Sequence, residues 1–226
     1  MPSIDDITIT LPDEPPRGYE LPRTIWVKDF TNESAQAFFA AFMRLVAADP
    51  NADILILIDS PGGSAYAMNV MRDIIQHAPC DVRTCVFSAA FSAGAYLLAA
   101  GTKGKRFAMP NSKIMIHELS TFVFGAAADI KHDSAYVERY NAGVLTNFAD
   151  DIGSTYESVY GWLRQNEDNQ REFWFFPEDA LNLGMVDQIV DDITAILPTG
   201  LEVAAATPPA TPSAPPAQPA EEANHG

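Results

Sequence analysis

Basic side chains and cysteines are scarce in this chain. Its 226 residues include 14 Lys and Arg against 30 Asp and Glu, so the formal net charge is -16 at pH 7. Nucleic acids and anionic membranes attract proteins through Lys and Arg patches, so we expect neither as a partner. The two cysteines, Cys80 and Cys85, are too few for a disulfide framework and are compatible with a reducing compartment.

Long apolar runs are also missing. Residues 1–6 have neither the basic start nor the apolar region of a signal peptide. The most apolar stretch, residues 89–100, is too short to span a bilayer and is interrupted by Ser92 and Gly94. We therefore expect a soluble, cytoplasmic protein without a membrane partner, and we expect no cofactor and no metal.

Composition divides the chain into three parts. Residues 1–23 are rich in proline and acidic side chains and are interpreted as an N-terminal arm, in which the alternation over residues 7–11 predicts a short strand. Residues 196–226 become rich in Pro and Ala and are predicted to form a disordered tail, because they cannot bury enough apolar surface to order themselves. We expect one folded domain over residues 24–195.

Strand and helix patterns alternate along this central part. Residues 54–58 form a continuous apolar run between two aspartates, which is typical of a strand buried on both faces of a parallel sheet. Apolar positions at helical spacing predict a helix that begins at Thr31 or Asn32. Further strands are expected at 24–27, 82–87, 105–109, 113–116 and 185–190, and further helices at 64–77, 92–100, 126–151, 177–183 and from a capping box at 154–157. The alternation predicts the α/β class with βαβ crossovers.

Three short motifs carry groups that acyl transfer by serine requires. Ser92 stands between a strand and a helix, where a hydroxyl is exposed at the carboxyl end of the strand. Gly63 in a Pro-Gly-Gly turn and Ala93 after the serine supply backbone N–H donors for an oxyanion. His117 ends a short apolar strand and can act as the base that the serine needs.

Each motif alone also has an ordinary structural explanation. A serine before a helix is most often an N-cap, Pro-Gly-Gly is a common turn, and a histidine at a strand end is often a core residue. The remaining histidines are weaker candidates for a base, since they end a helix, lie on the long helix or belong to the tail: His77, His132 and His225.

The order and spacing of the motifs resemble the ClpP family of serine peptidases, within the ClpP/crotonase superfamily. The matching segments lie at 60–63, 92–98, 110–117 and 125–130 and align without a gap, and weaker similarity extends over residues 24–190. The resemblance implies a ClpP/crotonase-like spiral of ββα units, with the helix at 126–151 as a protruding handle.

The resemblance also implies roles for individual residues. Ser92 matches the nucleophile, His117 the base, and Gly63 and Ala93 the two oxyanion-hole positions. Counting back from the segment at 184–187 places Glu172 on the third, acidic member of the triad. Asp168 is the alternative acid and would require a shifted loop.

The implied activity is that of a serine endopeptidase that hydrolyses unfolded proteins or peptides through an acyl-enzyme. The implied assembly is a heptameric ring or double heptamer enclosing a chamber, with an AAA+ unfoldase ATPase as a partner. This chain departs from the family where a Pro and two glycines usually follow the histidine, since it has Leu119, Thr121 and Phe122 there. We therefore expect its cleavage preference to differ.

Four alternative functions fit parts of the same pattern. A signal-peptide-peptidase-like enzyme would pair the serine with a lysine, and a crotonase-type acyl-CoA enzyme would share the oxyanion hole without needing Ser92 and His117. An inactive ring subunit would have lost a member of the triad. A phage capsid-maturation protease would be a specialised form of the leading hypothesis, with the tail contacting a scaffold.

Overall fold

The computed structural model describes residues 23–164 and 172–198. The strands are β1 (Thr24–Val27), β2 (Ile54–Ser60), β3 (Val82–Phe91), β4 (Arg106–Ala108), β5 (Lys113–His117), β6 (Glu172–Phe175) and β7 (Gln188–Ile189). The helices are α1 (Asn32–Ala48), α2 (Ala65–Gln76), α3 (Ala93–Ala99), α4 (Ala127–Ile152), α5 (Tyr156–Arg164) and α6 (Pro177–Asn182), and a 3₁₀ helix covers Ile193–Ile196. The expected arm strand at 7–11 and the expected tail beyond residue 198 lie outside the described residues.

The long strand β3 joins two arms of one sheet. Its first half pairs in parallel with β2 and with β4, and β1 and β7 extend these two sides. Its last three residues, 89–91, pair in parallel with β5, which in turn pairs antiparallel with β6. The carboxyl ends of β3 and β5 therefore lie side by side. This largely parallel sheet flanked by helices confirms the predicted α/β class.

Strand β2 separates two apolar layers. Ile54, Ile56 and Ile58 belong to the main core, which includes buried side chains of α1, α2 and α3. Leu55 and Leu57 belong to a smaller cluster with residues of β3, β4 and the 3₁₀ helix. Because side chains alternate along a strand, the uninterrupted apolar run fills both layers, as the sequence predicted.

Helix α4 is anchored at one end. Its buried residues all lie in its second half, from Val144 to Ile152. Residues 127–143 include no buried position, so the first half of α4 projects from the body of the domain. This is the arrangement expected of a handle helix.

Several predicted boundaries differ from the structure. Strand β3 continues to Phe91 rather than residue 87, and β6 was not predicted. The strand expected at 185–190 is reduced to Gln188–Ile189. Helix α5 is not capped by a box at 154–157; instead, Thr155 Oγ1 accepts a hydrogen bond from Ser158 N at 3.2 Å. Each error concerns a choice between neighbouring residues, or a partner distant in sequence, that the local pattern does not determine.

Candidate active site

Ser92 occupies a strained turn between β3 and α3. Its φ of 54° and ψ of -118° lie in a region that residues with a Cβ rarely adopt. Its backbone N–H donates to Met115 O at 2.7 Å, which fixes the turn against β5. The side chain makes no capping hydrogen bond with α3, so the N-cap explanation for this hydroxyl is wrong.

The Ser92 hydroxyl contacts the ring of His117. The Nε2 atom of His117 lies 2.6 Å from Ser92 Oγ, although the two residues are 25 positions apart in the sequence. Pairing of Phe91 with Met115 brings the ends of β3 and β5 together and so aligns the two side chains. In the tautomer with the proton on Nδ1, the hydroxyl donates to Nε2, which is the geometry of a serine with its base.

Tyr96 holds the main chain of His117 through a hydrogen bond. The Tyr96 hydroxyl donates to His117 O at 2.8 Å from within α3, and the tyrosine is only 4% exposed. Burial, reinforced by the charge of Glu118, raises the pKa of Tyr96, so the hydroxyl stays protonated and remains a donor. Sequence reasoning missed Tyr96, since a tyrosine in an apolar helix resembles any other core aromatic.

Glu172 lies directly across from His117 in the antiparallel pair of β5 and β6. Residues opposite one another in such a pair project from the same face of the sheet. Burial lowers the pKa of His117, and the nearby charge of Glu172 opposes this shift. The structure thus brings Glu172 to the histidine, whereas Asp168 lies outside the described residues.

Two glycines allow the turn after β2 to approach Ser92. Gly62 and Gly63 have φ values of 99° and 150°. A Cβ on Gly62 would lie 2.9 Å from Ser92 Cβ, and one on Gly63 would lie 2.6 Å from Phe30 O. A side chain at Gly62 would therefore push the loop away from Ser92, and one at Gly63 would push it away from Phe30.

The two candidate oxyanion donors are Gly63 and Ala93, and both are near Ser92. Gly63 lines the same cavity as the serine. Ala93 is the first residue of α3, where a backbone N–H has no acceptor within the helix.

A cavity of about 260 Å³ opens beside Ser92 and His117. Besides these two residues and Gly63, its walls come from α2, from the segment after β5 and from the exposed half of α4: Ser64, Ala65, Tyr66, Leu119, Ser120, Thr121, Tyr136, Val137 and Tyr140. Among the described residues this lining includes no Lys, Arg, Asp or Glu. Neither His77 nor His132 belongs to it, and His225 lies outside the described residues.

Hydrogen bonds tie the segment after His117 to the handle helix. Leu119 N donates to Asn141 Oδ1 at 3.0 Å, and Asn141 Nδ2 donates to Glu118 Oε1 at 3.3 Å. Arg164 of α5 pairs with the same Glu118 carboxylate at 3.5 Å. The wall of the cavity is therefore braced by both α4 and α5.

Residues 23–164 and 172–198 contain neither a metal-binding cluster nor a membrane-spanning helix. No group of three or more His, Cys, Asp or Glu side chains in this part of the chain is arranged to hold a metal ion. No helix described there combines the length and apolarity needed to cross a membrane.

Comparisons with known proteins agree with this arrangement. Residues 22–192 match the family model for Clp protease. The ATP-dependent Clp protease proteolytic subunit 1 of Corynebacterium jeikeium is 38% identical over 162 residues, which cover 70% of this chain and 81% of that protein. Subunit 2 of Corynebacterium glutamicum is 36% identical over 70% of this chain and 76% of its own length. Subunit 1 of Chlamydia felis is 35% identical over 72% of this chain and 77% of its own length. The fold and the contact between Ser92 and His117 agree with these matches. Because the family model covers residues 22–192, the chain belongs to the Clp protease family of serine peptidases.

Proposed function

We propose that this chain is a serine endopeptidase with a triad of Ser92, His117 and Glu172 and an oxyanion hole formed by the backbone N–H groups of Gly63 and Ala93. The observation that carries the proposal is the 2.6 Å contact between His117 Nε2 and Ser92 Oγ at the wall of an open cavity. A histidine that served only the packing of the domain would not require contact with a serine whose backbone is strained at the wall of a cavity.

In the acylation step, Ser92 Oγ attacks the carbonyl carbon of the scissile peptide bond while His117 Nε2 takes the hydroxyl proton. The carbonyl oxygen becomes an oxyanion, which accepts hydrogen bonds from Gly63 N–H and Ala93 N–H. Collapse of this intermediate breaks the C–N bond, and the proton on Nε2 passes to the leaving amine. Water then attacks the acyl-enzyme in the same way and releases Ser92.

Glu172 stabilises the imidazolium that forms in each step. Burial disfavours the charged ring of His117, and a carboxylate facing it from β6 offsets part of that cost. The side chain of a glutamate is longer than that of an aspartate, but it can orient and stabilise the imidazolium in the same way.

The proposal extends to substrate, location and assembly. The substrates are unfolded polypeptides or peptides, and the protein acts in the cytoplasm as a heptameric or double-heptameric ring that receives chains from an AAA+ unfoldase. Support comes from the relatives, which are named as proteolytic subunits of an ATP-dependent Clp protease. The projecting half of α4 offers a surface for contacts between subunits.

A Ser–Lys mechanism is less well supported. The described lining of the cavity includes no lysine, whereas the histidine contacts the serine directly. We therefore favour the histidine as the base.

Covalent labelling tests the triad. The full-length protein is treated with a fluorophosphonate, and the adduct is located by mass spectrometry. We expect labelling of Ser92 in the wild type, none in Ser92→Ala and at least a tenfold slower reaction in His117→Ala. Ser120→Ala, which removes another hydroxyl from the same cavity, is the matched control and should label normally. An unlabelled wild type in its assembled state would contradict the proposal.

Native mass spectrometry tests the ring. We expect a mass of seven or fourteen subunits of 24.6 kDa. A stable monomer at micromolar concentration would contradict the chamber while leaving the triad to be judged by labelling.

A further inference from the structure

Asn141 of α4 contacts the segment that follows His117 at two points. Its Oδ1 atom accepts a hydrogen bond from Leu119 N at 3.0 Å, and its Nδ2 atom donates to Glu118 Oε1 at 3.3 Å. We propose that Asn141 is a positioning residue, which holds one wall of the cavity beside Ser92 in the conformation that binds a substrate. The inference rests on the proposed peptidase function and assigns a residue that supports substrate binding at that site.

The segment depends on such support because it has no regular structure of its own. Residues 118–126 connect β5 to α4 and belong to neither a helix nor a strand. Leu119, Ser120 and Thr121 line the cavity. Backbone without the hydrogen bonds of a sheet or a helix opens at low cost unless other groups hold it. The shape of this wall therefore depends on the contacts at the start of the segment.

Burial does little to fix the rest of the segment. Phe122 is 88% exposed and Phe124 is 83% exposed, and their rings lie against each other with centroids 6.2 Å apart. Leu119, in contrast, is partly buried against the main core. The restraint on the wall is thus concentrated at Leu119, where the hydrogen bond to Asn141 is also made.

An amide side chain provides the two kinds of group that these contacts require. Its oxygen accepts from a backbone N–H, and its nitrogen donates to a carboxylate. The reverse orientation would direct the amide nitrogen at Leu119 N–H and the amide oxygen at the Glu118 carboxylate, so the contacts define the orientation of Asn141. An aspartate could accept from Leu119 N, but it would face Glu118 with a like charge.

Tyr96 and Asn141 hold the backbone on the two sides of Glu118. The Tyr96 hydroxyl donates to His117 O at 2.8 Å, whereas Asn141 accepts from Leu119 N. His117 is the proposed base, and Leu119 belongs to the cavity wall. Loss of the Asn141 contacts should therefore weaken substrate binding, which raises KM, and should leave the chemical step, measured by kcat, nearly unchanged.

A pair of substitutions tests the inference with the full-length protein and one fluorogenic peptide. Asn141→Asp sets two carboxylates against each other, so we expect KM to rise about tenfold while kcat changes by less than about twofold. Adding Glu118→Gln restores a donor opposite the new carboxylate, so KM of the double variant should return to within about twofold of the wild-type value. Glu118→Gln also removes the pairing with Arg164, which costs little because the Arg164 side chain is 59% exposed.

Rescue by a change at position 118 separates positioning from a general effect on α4. A disturbed helix would stay disturbed in the double variant, whereas a restored contact with Glu118→Gln returns KM to normal. An unchanged KM in Asn141→Asp, or a double variant with the same raised KM, would overturn the proposal. Asn141→Ala, which removes both contacts without adding charge, guards against misfolding of Asn141→Asp and should raise KM about fivefold.

Asn147→Asp is the matched control. It makes the same change of charge on the same helix, but six positions further along α4, where the side chain points about 120° away around the helix axis. Asn147 does not line the cavity beside Ser92. We expect KM and kcat of this variant to equal those of the wild type, and a KM raised as much as in Asn141→Asp would overturn the assignment to Asn141.

Labelling separates this inference from the function on which it rests. A fluorophosphonate should label Ser92 of Asn141→Asp at the wild-type rate, and a tenfold slower reaction would place the effect on the Ser92–His117 pair and overturn the inference. A wild type that is labelled and cleaves the peptide, with the same KM as Asn141→Asp, contradicts only the role of Asn141. A wild type that is neither labelled nor able to cleave the peptide overturns the proposed function and this inference together.

Discussion

The hydroxyl of Tyr96 donates a hydrogen bond of 2.8 Å to the backbone carbonyl of His117. Helix α3, which begins just after Ser92, thereby also holds the end of β5, which carries the histidine. The ring of Tyr96 meets Phe148 of α4 edge-on, with centroids 5.1 Å apart. This hydrogen bond thus links the helix that follows Ser92 to the strand that carries His117, the proposed nucleophile and base.

Replacing Tyr96 with Phe should slow catalysis while leaving substrate binding intact. A neutral hydrogen bond contributes about 1 kcal/mol, and its loss frees the end of β5, so we expect kcat to fall by about three- to tenfold with KM unchanged. Steady-state kinetics with one peptide substrate measures both. Tyr160→Phe, which removes a hydroxyl that accepts from Arg164 at 2.6 Å outside the cavity, should leave kcat unchanged. An unaltered kcat in Tyr96→Phe would show that the hydrogen bond does not position the base.

Replacing Glu172 with Gln should shift the pH profile as well as the rate. Burial lowers the pKa of His117 and the Glu172 charge opposes this, so the acid limb of kcat/KM in the wild type should lie below the ordinary value of about 6.5. Removing the negative charge further destabilises the imidazolium, so the limb moves to lower pH while plateau activity falls on the order of 10²-fold. Profiles between pH 4 and 9 measure both effects.

Asp168→Asn is the matched control for Glu172→Gln. We expect it to leave the acid limb and the plateau unchanged. The opposite result, in which Asp168→Asn abolishes turnover and Glu172→Gln does not, would make Asp168 the acid of the triad.

Replacing Ser92 with Gly should stabilise the fold more than replacing it with Ala. Both variants lose the Ser92 hydroxyl, but only Gly adopts a φ of 54° with a ψ of -118° without steric cost. We expect the free energy of unfolding to be about 1 kcal/mol higher for Ser92→Gly than for Ser92→Ala, measured by urea denaturation. A less stable glycine variant would mean that the turn stores no strain.

The ion pair between Arg106 and Asp187 should make the free energy of unfolding depend on pH in the acidic range. Arg106 is 1% exposed and its guanidinium binds the carboxylate at 2.8 and 2.7 Å. Burial raises the pKa of Asp187, but the hydrogen bonds and charge of Arg106 outweigh it and hold the pKa below its ordinary value. The contribution is therefore complete above the unfolded pKa of about 3.9 and is lost as the pH falls through the lower folded value.

Asp187→Asn leaves Arg106 buried without its carboxylate, so we expect a loss of about 3 kcal/mol at pH 7 and a flatter stability profile below pH 4. Denaturation at several pH values measures both. Asp133→Asn is the control, because Asp133 is exposed on α4 and its pairing with His132 contributes little. An equal loss in the two variants would contradict the role of the buried pair.

Local patterns predicted much of this fold. The residues at 54–58 form a buried strand because an unbroken apolar run can fill both faces of a sheet. Thr31 caps α1 because its side chain accepts from Ser34 N at 3.0 Å, an interaction within one turn. Predictions of this kind succeed because the interacting groups are neighbours in the sequence.

Pairings between distant segments were beyond the local patterns. Strand β6 exists because Glu172–Phe175 pairs with β5, more than fifty residues earlier. Tyr66 and Tyr140 meet because α2 and α4 are brought together around the cavity. No short segment records either contact.

By itself, the sequence determined the α/β class, the helices and strands of the core, and the candidacy of Ser92, His117, Gly63 and Ala93. Tertiary structure alone decided that the Ser92 hydroxyl turns to the histidine rather than capping α3, and that Tyr96 holds the main chain of His117. The physical reason is that a hydroxyl can meet either a nearby backbone N–H, from which it accepts, or a distant acceptor, to which it donates. Which one it meets depends on β5, which lies beside β3 only when the whole sheet has formed.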